Sequence, residues 1–219
     1  KLFVAGVEAG TGILVHHAAD NAFPGWKEYE EMVALMWRDG TGHGRFHSFD
    51  VKVIDRDHPV TRDMPDMIAH PDELYHKLVH MHDADLRVLL SAYADPATGG
   101  SGRFEPMATV SRYGEGRVFH TPLGHVWKGV PASRASHADP QFRRLVARGT
   151  EWAATGQVTL DPAPLGWLDP AERAAGFELL FDGRTTAGWR GFRKSGMPDA
   201  GWVVDDGALR HDSGGGDLV

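Results

Sequence analysis

The stretch Ile13-Leu14-Val15-His16-His17 constrains this chain more than any other part of it. It is too short for a helix and apolar on both faces, so it reads as a buried parallel strand. Turn formers follow at Asp20-Asn21-Ala22-Phe23-Pro24-Gly25. Trp26 to Trp37 then sets Tyr29, Met32, Val33, Met36 and Trp37 at three-and-four spacing between Lys27, Glu28, Glu30 and Glu31, the pattern of an amphipathic helix. A buried strand that hands over to a helix through a polar turn is the repeating unit of an α/β sheet, and such sheets bind ligands at their strand ends.

Later segments repeat the alternation. Leu2 to Gly10 has the composition of a helix, and Phe49, Val51 and Val53 alternate with Asp50 and Lys52. Arg87 to Tyr93 is a further apolar run. Met107 to Tyr113 and Arg117 to Thr121 flank Gly114-Glu115-Gly116 as a hairpin, and Gln141 to Thr155 closes the unit as a helix carrying Phe142, Leu145, Val146 and Trp152. The expectation is an α/β sheet with an antiparallel hairpin near its edge. From Gln157 to Gly176 the chain turns to Asp161-Pro162-Ala163-Pro164 and Asp169-Pro170 without an apolar period, as a linker would. Phe177-Glu178-Leu179-Leu180-Phe181, Trp202-Val203-Val204 and Ala208-Leu209, with turns at Asp182-Gly183 and Asp206-Gly207, resemble the opening of a β-sandwich too short to hold a core alone.

Composition removes several classes of function. With 219 residues, 42% of them hydrophobic, the chain can bury a real core, yet no apolar run approaches the ~20 residues of a membrane span. A net charge of −7 and the lack of any Lys/Arg cluster argue against nucleic acid. Zero cysteines exclude a thiolate nucleophile and disulfides but suit reducing and oxidising compartments alike. Localisation is therefore open, a secreted or periplasmic one included. The first residues lack an initiating Met and a signal-cleavage pattern, and the chain reads as a piece that begins mid-fold and ends as Gly214-Gly215-Gly216-Asp217-Leu218-Val219 enters a strand.

The chemistry-bearing residues are the histidines, 13 in all. His16 and His17 stand where the buried strand ends, and because a strand alternates faces they share a direction only if it stops between them. Otherwise one packs in the core and the other meets solvent. His70-Pro71-Asp72-Glu73-Leu74-Tyr75 gathers an imidazole, two carboxylates and a phenol, although Asp72 also suits the cap of a helix starting at Glu73. Glu105 precedes a strand after the flexible Thr98-Gly99-Gly100-Ser101-Gly102. Phe119-His120-Thr121-Pro122-Leu123-Gly124-His125 delivers two histidines around a strand end broken by Pro122. His43, His47, His58 and most others read as surface residues. Walker, Rossmann, zinc-helix and serine-elbow motifs are absent.

Gly12 to Ala18, Asp72 to Tyr75, Glu105 to Met107 and Gly116 to His125 resemble, in the same order, segments of the trehalose-utilisation (ThuA-like) family. The resemblance covers roughly residues 1 to 156 and implies a flavodoxin-like fold related to class I glutamine amidotransferases, without the family's amino-terminal strands and helices. Residues 176 to 219 resemble the start of the 3-keto-disaccharide hydrolase domain, a concanavalin-like β-sandwich, through Leu180-Phe181-Asp182-Gly183, Gly188-Trp189, Trp202 and Gly215-Gly216-Asp217-Leu218. Residues 157 to 175 would be the linker. Amidotransferases place a cysteine at the strand-to-helix elbow and a histidine after a later strand. Here His16-His17 stand near the first place and His120 or His125 near the second, so thioester chemistry is closed and the chemistry must differ.

Both resemblances imply sugars, in particular glycosides oxidised at C3, whose ketone acidifies the C2 proton so that the C1 substituent can leave. His17, His125, Glu73 and Asp20 are the candidate acid, base and charge-bearing groups, with His16 and Glu105 behind them. Trp26, Tyr75, His120 and Trp127, with Trp37, are candidate substrate contacts. A divalent metal is open: imidazole and carboxylate donors suit Zn, Mn, Co or Ni, but their spacing is not diagnostic. The partner expected is a small-molecule sugar, and oligomeric state is not fixed by the sequence. The competing readings are a non-catalytic carbohydrate-binding protein, in which the aromatic residues stack on sugar faces, and a purely structural fragment.

Overall fold

Six strands hydrogen-bond into one mixed sheet: β1 (Ile13–His16), β10 (Gly116–Thr121), β9 (Phe104–Tyr113), β8 (Arg87–Tyr93), β4 (His47–Val53) and β5 (Met67–Asp72), in that spatial order. The computed structural model describes all residues except 163–167, 169, 184, 206 and 207. Among the described residues, two two-residue ladders, β2 (Leu35–Met36) with β7 (Val79–His80) and β3 (Gly42–His43) with β6 (Tyr75–His76), and one four-residue ladder, β11 (Trp202–Asp205) with β12 (Ala208–His211), form separate pairs. The helices are α1 (Leu2–Glu8), α2 (Lys27–Val33), α3 (Ala135–Ala138), α4 (Pro140–Thr155) and α5 (Pro170–Ala174). None of the described helices is long and apolar enough to cross a membrane. The chain divides into two compact units, Lys1–Ala163 and Pro164–Val219.

The fold is mixed α/β, but its sheet is more antiparallel than the sequence implies. Only β1 and β10 run parallel, and the other four pairings are antiparallel. β1 also lies at the sheet edge, with Leu14 36% exposed, so it is buried on one face rather than both. The alternation in β4 is as read, with Phe49, Val51 and Val53 buried and Asp50 and Lys52 exposed. Neighbouring Val118 and Phe119 of β10 enter different clusters, as opposite faces require. Val118 joins Val7, Val15, Met32 and Val33 under α1 and α2, whereas Phe119 joins Leu89, Leu90, Phe142, Leu145 and Trp152 under α4.

Further expectations change. The helix read over Trp26 to Trp37 stops at Val33, because Ala34 takes a left-handed conformation (φ 64°) and Leu35–Met36 pairs with β7 instead. No helix begins at Glu73. His70-Pro71-Asp72 is the end of β5, and its proline is accommodated because β5 is the terminal strand of the sheet. In the second unit Trp202–Asp205 and Ala208–His211 are strands, but Phe177 to Phe181 is not, and α5 interrupts the stretch read as linker. The Asp206-Gly207 turn and the Ala163-Pro164 and Asp169 parts of the linker lie outside the described residues.

Candidate functional site

Because β1 and β10 are parallel, with Val15 opposite His120 and His16 opposite Thr121, the chain leaves both strands at one sheet end. His17 opens a short 3₁₀ turn (His17–Asn21) with φ 45°, a left-handed conformation that turns its ring away from that of His16. Its Nδ1 lies 2.8 Å from the Pro122 carbonyl. A carbonyl only accepts, so Nδ1 carries the proton and the Nε2 lone pair faces the site. Two groups converge on that lone pair: Nδ1 of His125 at 2.7 Å and the Tyr75 hydroxyl at 2.9 Å.

The third arm comes from the segment joining β5 to β6. Glu73, 2% exposed, sets Oε2 3.1 Å from His125 Nδ1 and Oε1 3.3 Å from His43 Nδ1. Burial raises its carboxyl above the usual range, against the opposing pull of His43. Asp72, wholly buried, clamps this segment to the 122–125 loop. One of its oxygens accepts from the Gly124 amide at 2.6 Å and the Ser136 hydroxyl at 2.8 Å, the other from the amides of Glu73 and His125 at 2.8 and 3.1 Å. His70 lies between Asp139 at 2.6 Å and Asp72 at 3.3 Å. Burial opposes charge on both members of the His70–Asp72 pair, but their hydrogen bonds outweigh it, raising His70 and holding Asp72 low. The clamp is a buried hydrogen-bonded network, and removal of one partner leaves buried polar groups unsatisfied.

Atoms of His17, Glu73 and His125 all lie within 4.8 Å of one another, a two-imidazole, one-carboxylate constellation in which His17 and Glu73 are buried and His125 is half-buried. Residues 1–153, which carry all three, match the trehalose-utilisation (ThuA) family. The chain belongs to that family. A ThuA-like protein from Parabacteroides merdae is 34% identical, superposes with a TM-score of 0.66 and is matched over 73% of this chain and 66% of its own. A second ThuA-like protein, from Bacteroides uniformis, shares 18% identity with a TM-score of 0.51 over 71% of this chain and 64% of its own, a likeness of fold. A 3-keto-disaccharide hydrolase from Bacteroides thetaiotaomicron is 33% identical over 66 residues, 30% of this chain and 22% of the hydrolase. The chain thus spans just under two thirds of the ThuA-like proteins and about a fifth of the hydrolase. Its ThuA domain makes it a carbohydrate-related protein.

Aromatic side chains wall the ThuA centre. Tyr75, whose phenol burial pushes upward with help from Asp20 and Glu73, meets Trp37 edge-on at 4.6 Å. On the other side Trp127, 36% exposed, lies 4.1 Å from the His125 ring and 5.6 Å from Phe46. Burial, and then His17, lowers His125.

The remaining candidates are not part of this constellation, although Asp20 lies near enough to Tyr75 to act on its phenol. His16 turns toward His137 and Phe142, and burial followed by the neighbouring histidines lowers it to about 4, so it is a neutral packed ring. Gly124 fits only without a side chain, since a Cβ there would fall 2.2 Å from His16 Nε2 in a backbone with φ 106°. Asp20 is wholly buried 3.4 Å from His120, without hydrogen-bond geometry, and His120 is itself 1% exposed, which keeps it from a sugar-facing surface. Glu105 holds backbone, accepting from the Lys77 amide at 3.1 Å and the Ser101 hydroxyl at 2.5 Å. Trp26 stacks on Tyr29 and packs beside α2 rather than against Tyr75. His43 is exposed, as read, but sequence reasoning missed its contact with Glu73 and the clamping role of Asp72. A carboxylate two residues from His70 was the available signal for the second.

Proposed function

We propose that the sheet-end centre of His17, His125, Glu73 and Tyr75 cleaves 3-keto-glycosides such as 3-keto-trehalose. The observation that carries this reading is the convergence of two imidazoles, a buried carboxylate and a phenol on one point, between aromatic walls suited to a sugar face. Membership of the trehalose-utilisation family and the 66-residue likeness to a 3-keto-disaccharide hydrolase support the substrate class. We further read residues 1–156 as a flavodoxin-like, amidotransferase-related domain, and 176–219, after a linker over 157–175, as the opening of the hydrolase's β-sandwich.

The chemistry follows from the C3 ketone. A base takes the C2 proton, and the electron pair left on C2 is delocalised onto the C3 oxygen. It then forms a C1=C2 bond as the C1–O bond breaks, and the departing alkoxide takes a proton from an acid. Water adding across the new double bond makes the overall change a hydrolysis. His17, His125 and Glu73 act as proton-transfer or charge-bearing groups, and Tyr75 is the hydroxyl donor among them. Trehalose itself, which lacks the ketone, is not a substrate. In a turnover assay of the intact protein on 3-keto-trehalose, His17→Ala and His125→Ala should each lose ~10²-fold or more in rate with unchanged circular dichroism. Full activity in both variants contradicts the reading. The exposed Trp127 beside His125 and Phe46 favours a second reading, carbohydrate binding without chemistry, which stoichiometric sugar binding with no turnover would support.

A further inference from the structure

The geometry points to His17 Nε2, His125 Nδ1 and a Glu73 carboxylate oxygen as the three protein ligands of a divalent first-row transition metal ion, with Zn²⁺ the representative. This deepens the reading of the same centre and rests on it only for what the ion would do, not for whether it binds.

Proton accounting is the first argument. The Pro122 carbonyl fixes the proton of His17 on Nδ1, so Nε2 is a lone pair. That one lone pair faces both the Tyr75 hydroxyl and His125 Nδ1. If His125 carries its proton on Nδ1, that proton has the His17 lone pair and Glu73 Oε2 within reach, and Nε2 of His125 is a buried lone pair with no partner among the described residues. With the proton on Nε2 instead, that N–H is a buried donor without a partner among the described residues, and two lone pairs oppose each other at 2.7 Å beside a carboxylate oxygen at 3.1 Å. The second arrangement is repulsive in the protein alone and is the one a cation requires.

Geometry is the second. Ligand atoms 2.0–2.2 Å from a tetrahedral zinc lie about 3.3–3.6 Å apart. The 2.7 and 3.1 Å separations here reach that range with movements of a few tenths of an ångström to about one. Two nitrogens and one carboxylate leave a fourth position open, the composition of catalytic rather than structural zinc sites.

The surroundings are the third. Metal-binding imidazoles and carboxylates are oriented by outer hydrogen bonds. His17 donates to Pro122, and Glu73 Oε1 faces His43 Nδ1, which also lies 2.8 Å from the Gly44 carbonyl and so must carry its proton. His43 Nδ1, which donates to the Gly44 carbonyl, is therefore not a fourth ligand. Asp72 fixes both ligand-bearing loops by accepting from the amides of Glu73, Gly124 and His125. Bound there, the ion would bear the charge that develops on the C3 oxygen and leave Tyr75 and His43 to handle protons.

The test is calorimetric titration of the chelator-treated chain with ZnCl₂, checked by elemental analysis after dialysis. One zinc per chain is expected. His17→Ala, His125→Ala and Glu73→Gln should each weaken it 100-fold or more, Asp72→Asn about 10-fold, and Tyr75→Phe should keep the stoichiometry. Failure of the wild-type chain to take up zinc beyond what a folded His125→Ala/Glu73→Gln variant binds would overturn the inference. If turnover of 3-keto-trehalose survives that result, the proposed function stands without the ion. Stoichiometric zinc with no turnover upholds the inference and counts against the sugar reading instead.

Discussion

The two units of this chain use similar residues to very different effect. Residues 1–163 bury apolar side chains on both faces of a six-stranded sheet, and within that shell they bury charge: His70, Asp72 and Glu73 are all at most 2% exposed. Residues 164–219 are also rich in Trp, Phe and Leu, yet none of their described apolar side chains is buried, and Phe177, Leu180 and Phe192 are each more than half exposed. Their regular pairing is the four-residue ladder of β11 and β12, below what a hairpin needs to stand alone. A site that depends on fixed imidazoles and a buried carboxylate belongs to the unit whose core can hold them against solvent.

Limited proteolysis should break or sharpen that contrast with the largest effect. Cleavage of this chain should fall within 164–219 orders of magnitude sooner than within 1–153, because opening the second unit disrupts little buried surface. Uniform resistance along the tail would mean that the units are equally well held. Urea unfolding provides a smaller measure. Leu90→Ala, at a fully buried position of β8, should cost about 2–5 kcal/mol, and Val203→Ala on β11 should stay within about 0.5 kcal/mol.

What the sequence revealed depended on how local the cause was. The alternation of Phe49, Val51 and Val53, the Gly114-Glu115-Gly116 hairpin and the period of α4 are set by neighbours along the chain, and each appears where the pattern put it. Met36 and Trp37 extended the apparent helix because their spacing is helical, but the left-handed Ala34 and the β7 partner 43 residues on decide otherwise. At the site, strand-end logic brought His17 and His125 forward. His43 stayed hidden because its meeting with Glu73 needs the β3–β6 pairing, which leaves no trace in local periodicity. The clamping role of Asp72 was hidden for the same reason, since its partners Gly124 and Ser136 lie more than 50 residues away.

The smallest effect is a pH dependence inside the first unit. Burial, followed by the Arg87 charge, lowers His58 to about 4 from its usual 6.5. The unfolded chain therefore binds the extra proton between those values. Its contribution to stability is complete above pH 6.5 and is lost as pH falls toward 4. Between pH 7 and pH 5.5 the wild type should lose about 1 kcal/mol more than His58→Phe, measured by urea unfolding at each pH. Parallel profiles for the two proteins would show His58 to be less enclosed than its contact with Trp152 implies.

The central claim, that the His17–His125–Glu73 centre breaks a sugar by way of its C2 proton, is tested most directly by cleavage of 3-keto-trehalose in D₂O. NMR of the products, against a buffer control for spontaneous exchange, reads the isotope at C2. The account predicts deuterium at C2 of the released 3-keto-glucose, or an unsaturated product with no hydrogen there, with the reaction lost in His17→Ala. Cleavage that retains the original C2 hydrogen would contradict it.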